Sequence, residues 1–71
     1  PEDMSAEECE AELDAAKARW ICFRNYNMWQ CPVVVGDERL DQIDVDWRTK
    51  EYALRAAVRS LREHQAAQSR T

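Results

Sequence analysis

Residues 20–31 run Trp20-Ile21-Cys22-Phe23-Arg24-Asn25-Tyr26-Asn27-Met28-Trp29-Gln30-Cys31, and the conformation assigned to them decides the fold. No Gly or Pro interrupts the chain from Ser5 until Pro32. Read as a helix, Trp20 and Phe23 continue one face and Cys22, Tyr26 and Trp29 a second, with Ile21 and Met28 on yet another side, so this stretch is apolar on nearly every side. The simplest expectation is a helix from about residue 6 to about residue 30.

Working toward the N-terminus, Ser5-Ala6-Glu7-Glu8 has the form of a capping box. Ser5 accepts from a backbone N–H of the first turn, while Glu8 reaches back to the Ser5 N–H. Ala6, Cys9, Leu13, Ala16, Trp20 and Phe23 then form an apolar stripe with helical period. Working toward the C-terminus, Pro32 lacks a donor and ends the helix. Val33-Val34-Val35 is a β-branched run with no evident partner strand, so it is expected to lie extended against the helices. An acidic connector follows over about 31–46, anchored by Leu40, Ile43 and Val45. A second helix is expected over about 47–67, capped by Asp44, Asp46 or Thr49. Its apolar stripe is Trp47, Leu54, Ala57, Val58 and Leu61, with Arg55, Arg59 and Arg62 on the other side.

The expected fold class is therefore all-α. Residues 1–71 form a single small domain, an antiparallel helical hairpin with an extended connector, open to completion by oligomerisation or a partner chain. Composition agrees. Of 71 residues, 45% are hydrophobic and 34% charged, with one Gly and two Pro, a globular balance poor in turn residues. Charge orders the two helices. Residues 1–16 carry seven acids and no base, and residues 48–71 carry six bases and two acids, so antiparallel packing matches the blocks.

No apolar run approaches the ~20 residues of a membrane span. No signal peptide is visible, and an intracellular setting, cytoplasm or organelle interior, is expected. A net charge of −4 makes nucleic acid an unfavoured partner.

Catalysis has little to build on. There is no Gly-rich phosphate loop, no nucleophile elbow and no Ser/His/Asp set, so no enzyme activity, small-molecule substrate or cofactor is expected. One histidine, His64, and three cysteines make a poor ligand set, and no metal is expected. On a continuous helix Cys22 and Cys31 would stand roughly 13 Å apart and could bridge only if the helix broke between them. Cys9, Cys22 and Cys31 are expected to act as small apolar residues.

The aromatic stretch carries the functional expectation. Trp, Tyr and Met are enriched at protein interfaces. One helix covers only about 100° of another, too little for a rod apolar on all sides. The chain is expected to be a non-enzymatic interaction module, an accessory subunit of a larger complex or a homo-oligomer. Its contacts would be Trp20, Ile21, Phe23, Tyr26, Met28 and Trp29, its partner another protein or a second copy. Two alternatives stand beside this. One is an acidic regulator or inhibitor of a basic partner, based on the acidic blocks. The other is a thiol redox or metal-binding protein using the three cysteines.

Overall fold

The computed structural model of the chain describes residues 3–40 and 48–69. Along the chain these form α1 (Ala6–Ala15), β1 (Arg19–Trp20), β2 (Phe23–Asn25), β3 (Met28–Gln30), β4 (Val33–Val35), β5 (Glu38–Leu40) and α2 (Lys50–Ser69). The class is α+β, so the expected all-α helical hairpin is wrong. Residues 20–31 are a β-hairpin, and Val33–Val35 has strand partners on both sides. Among the described residues no helix is long and apolar enough to cross a membrane.

The first helix begins where its capping box places it. Ser5 Oγ accepts from the Glu8 N–H at 3.2 Å, and Glu8 Oε1 accepts from the Ser5 N–H at 3.0 Å. It stops about fifteen residues earlier than expected because Lys17 turns left-handed, with φ 58°. The Lys17 N–H donates to the Asp14 carbonyl and the Ala18 N–H to the Leu13 carbonyl. These two bonds are the Schellman closure, usually built on Gly at the left-handed position. Asp14 also accepts from the Trp20 indole Nε1 at 2.9 Å, which ties the end of the helix to the strand that follows.

From Arg19 onward the chain is a meander. β1 pairs antiparallel with β4 (Arg19↔Val34, Trp20↔Val33), and β2 with β3 (Phe23↔Gln30, Arg24↔Trp29, Asn25↔Met28). The two ladders share one register without a slip, so Ile21 faces Pro32 and Cys22 faces Cys31. They are one long hairpin, interrupted where Pro32 has no N–H to give. Ile21 still donates to the Pro32 carbonyl at 3.4 Å across the gap. β4 then pairs with β5 (Val33↔Leu40, Val34↔Arg39, Val35↔Glu38). Both turns have two-residue loops with positive φ at the first position, Tyr26 at 58° and Gly36 at 60°. Such turns carry the twist that antiparallel strands need.

The second helix begins at Lys50, three residues later than expected, and runs to Ser69. Thr49 caps it, its Oγ1 accepting from the Tyr52 N–H at 3.3 Å. The buried stripe of Leu54, Ala57, Val58 and Leu61 is the expected one, joined by Ala53 and Ala56. Ile43, Val45, Trp47, Asp44 and Asp46 lie outside the described residues.

Cys9 and Leu13 of α1, Leu54, Val58 and Leu61 of α2, and Cys31, Val33 and Leu40 of the meander form the buried core. Helices therefore cover one face of the sheet. Their mutual orientation departs from an antiparallel pair. Glu10 and Glu12 project from opposite sides of α1, yet they reach Lys50 and Arg62 on α2. Those two bases are separated by ~18 Å of helix rise. α1 lies across α2 rather than alongside it.

Candidate functional site

In a strand successive side chains alternate between faces, and facing partners share a face. The continuous register therefore sorts the hairpin into two sets. Trp20, Cys22, Trp29, Cys31 and Val33 turn toward the helices. Trp20, Cys22 and Trp29 pack against the core, and Cys31 and Val33 are fully buried. Arg19, Ile21, Phe23, Asn25, Met28, Gln30, Pro32 and Val34 turn the other way, onto the face that neither described helix covers.

This outward face holds large apolar groups in water. Ile21 is 60% exposed and Phe23 39% exposed, with Met28, Pro32 and Val34 half-buried beside them. Tyr26, at the hairpin tip, is 88% exposed. Two guanidiniums are held in place by carbonyls, Arg19 on this face and Arg24 on the opposite one, where it faces Trp29. Arg19 Nη2 donates to the Gly36 carbonyl at 3.3 Å, and Arg24 Nε to the Tyr26 carbonyl at 3.1 Å.

The six residues singled out from sequence thus divide. Ile21, Phe23, Tyr26 and Met28 lie on the outward face or the tip. Trp20 and Trp29 lie on the core side. The helical rod with apolar groups all round does not exist, because strand alternation separates the two sets. Tyr52, on the second helix, is a further exposed aromatic that the stripe analysis passed over; the Arg55 guanidinium sits 5.5 Å from its ring centroid.

The hairpin also brings together what a helix would have kept apart. Cys22 Sγ and Cys31 Sγ are 2.9 Å apart, in hydrogen-bonding contact. Cys31 is buried and Cys22 half-buried. The thiols influence each other's ionisation in opposite directions. A hydrogen bond from Cys31 favours the Cys22 thiolate and holds its pKa below the usual thiol value, with Lys50 adding to the effect and burial and Glu10 opposing it. Cys31 is pushed far up, chiefly by its hydrogen bond with Cys22 and by burial. Cys9 sits in the same core, its thiol pushed up by burial.

Other groups named from sequence have structural surroundings. His64 Nδ1 lies 3.4 Å from Glu38 Oε2 on β5. Four acids of the N-terminal block are engaged inside the chain: Glu8 in the cap, Glu10 with Lys50, Glu12 with Arg62, and Asp14 with the Trp20 indole. Among the described residues no group of three or more His, Cys, Asp or Glu side chains is placed to hold a metal ion.

No family model matches the chain, and comparison with curated proteins and with solved structures finds none similar to it.

Proposed function

We propose that this chain is a protein-interaction module, without catalysis of its own, that docks through the outward face and tip of its hairpin. One observation carries the reading: the face of the sheet turned away from the helices holds a cluster of exposed and half-buried apolar groups, Ile21, Phe23, Met28, Pro32 and Val34, among its polar ones. A sheet with one solvated face normally alternates hydrophobic inward and polar outward. Here Ile21, Phe23, Pro32 and Val34 stand where polar residues would serve a solvated sheet. Tyr26 adds to this. A bulky side chain at positive φ is disfavoured, and its ring is almost wholly in water. The fold gains little from it, so its use is sought outside the fold.

The rim defines the partner's chemistry. Arg19, oriented by the Gly36 carbonyl, suits a protein surface with an apolar patch beside a carboxylate. Trp20 and Trp29 support the hairpin from the core side and do not contact the partner.

A photo-crosslinking residue in place of Tyr26, expressed in the source cells, tests this against the same residue in place of Gln65 on the second helix. The expected result is one discrete adduct from position 26, absent from position 65. It disappears when Ile21 and Phe23 are both replaced by Ser in a chain that keeps its circular-dichroism spectrum. The adduct's mass tells another protein from a second copy. No adduct, or the same adducts from both positions, overturns the reading.

A further inference from the structure

We propose that Cys22 and Cys31 form a dithiol/disulfide couple at the base of the hairpin, oxidised and reduced by thiol–disulfide exchange with small glutathione-type disulfides and thiols. The backbone is the first ground. The shared register makes Cys22 and Cys31 directly facing residues on the core side of the ladder. Facing pairs alternate between hydrogen-bonded and non-hydrogen-bonded sites along an antiparallel ladder. The Ile21 N–H bond to the Pro32 carbonyl marks the neighbouring pair as a hydrogen-bonded site, so Cys22 and Cys31 occupy the other kind. There Cα atoms stand about 4.5 Å apart, inside the range a disulfide spans. The sulfur positions are the second ground, at 2.9 Å with both side chains on one face. Closing the bond needs no movement of the strands.

The surroundings give the two sulfurs different parts. Cys22 is half-buried and has the lowered pKa, with the Lys50 ammonium favouring its thiolate; Glu10, paired with that ammonium at 4.0 Å, opposes it. Cys31 is buried and holds its proton. Attack begins at Cys22, since the thiolate is the nucleophile. The Cys22 thiolate bonds to one sulfur of the small disulfide, whose S–S bond breaks and releases one small thiolate. Cys31 then gives up its proton and attacks the Cys22 sulfur, and the mixed disulfide breaks to release the second small thiolate. Two electrons pass from the protein pair to the small disulfide, which leaves as two thiols once protonated. Cys9 takes no part, being enclosed in the core with a raised pKa.

The consequence is local. The disulfide closes a ring through Phe23 to Gln30 and fixes the strands that carry Ile21, Phe23 and Tyr26. The inference stands apart from the docking reading, because it is tested on the isolated chain.

The full-length chain is equilibrated in buffers of graded reduced-to-oxidised glutathione ratio, quenched with acid, alkylated in denaturant and mapped by mass spectrometry. The expected result is a Cys22–Cys31-linked species appearing in one transition, lighter by two hydrogens, reversed by dithiothreitol, with Cys9 alkylated at every ratio. In Cys31→Ser the mixed disulfide with glutathione accumulates on Cys22, whereas Cys22→Ser forms one at Cys31 at least tenfold more slowly. Two thiols at every ratio, or pairing through Cys9, overturns the couple. Equal rates for the two variants overturn the assignment of Cys22 as the attacking sulfur. The wild-type titration decides the couple even if a variant fails to fold.

Discussion

Arg62 on α2 grips Glu12 on α1 with both prongs of its guanidinium, Nε at 2.7 Å from one carboxylate oxygen and Nη2 at 2.6 Å from the other. Planar two-pronged pairing is the strongest geometry available to a surface ion pair. It holds the Glu12 carboxyl below its ordinary pKa of 4.5. A carboxylate with a lowered folded-state pKa contributes stability above its unfolded pKa and loses it as pH falls through the folded value. Urea unfolding near neutral pH and again at about pH 3 should therefore show a smaller acid-induced loss in Glu12→Gln than in the wild type. Equal losses in the two proteins would mean that the pair does not couple the helix crossing to pH.

The capping box predicts a second effect. Ser5→Ala removes the acceptor of the Glu8 N–H and should cost about 1 kcal/mol. The same urea experiment at neutral pH measures it. A cost indistinguishable from zero would show that the first turn is held by packing of Met4 and Ala6 instead.

Two residues adopt a backbone conformation that suits glycine, and they should respond alike in stability. Lys17 and Tyr26 both have φ 58°. Lys17→Gly and Tyr26→Gly are each expected to leave stability unchanged or raise it by up to about 1 kcal/mol. They should differ in association. Only Tyr26→Gly should weaken capture of the partner identified by crosslinking. A stability loss above about 1 kcal/mol in Tyr26→Gly would show that the ring supports the fold.

The two faces of the sheet predict a contrast in stability. Leu54 is fully enclosed by the core, and Leu54→Ala should cost about 3 kcal/mol. Ile21→Ala, on the outward face, should change stability by no more than about 0.5 kcal/mol in the isolated chain. Denaturation midpoints compare the two directly. A similar cost at both positions would mean that the outward face is covered within the monomer.

The parts that can be recognised from residues alone share a physical trait: their signals are local. Ser5 and Glu8 are three residues apart, Thr49 caps the turn beside it, and the stripe through Leu54, Ala57, Val58 and Leu61 repeats within one helix. The hairpin is hard to read from sequence because its punctuation is unusual. Lys17 occupies the left-handed position where a Gly would announce the helix end, and Tyr26 occupies the turn position where Gly or Asn would announce a hairpin. Period-two alternation was present all the same, with Trp20 and Cys22 on one side and Ile21 and Phe23 on the other, in a stretch rich in aromatic residues that favour strands. Gly36-Asp37 between Val35 and Glu38 was also a recognisable hairpin signal.

The candidate site was visible only as a set of residue types. Ile21, Phe23, Tyr26 and Met28 could be named, but not separated from Trp20 and Trp29, because that separation depends on strand alternation. Cys22 and Cys31 were set far apart along a helix that does not form. What brings their sulfurs together is pairing between strands nine residues apart.

Local chemistry, then, was enough to specify where the first helix begins and which side of the second is greasy, since capping and apolar period act over a few residues. Only the folded chain decided that residues 19–40 pair as strands, which side of the ladder meets the helices, and that α1 crosses α2. Pairing and layering depend on contacts between distant segments, and a stretch equally apolar in a helix or a strand takes the conformation that its neighbours can cover.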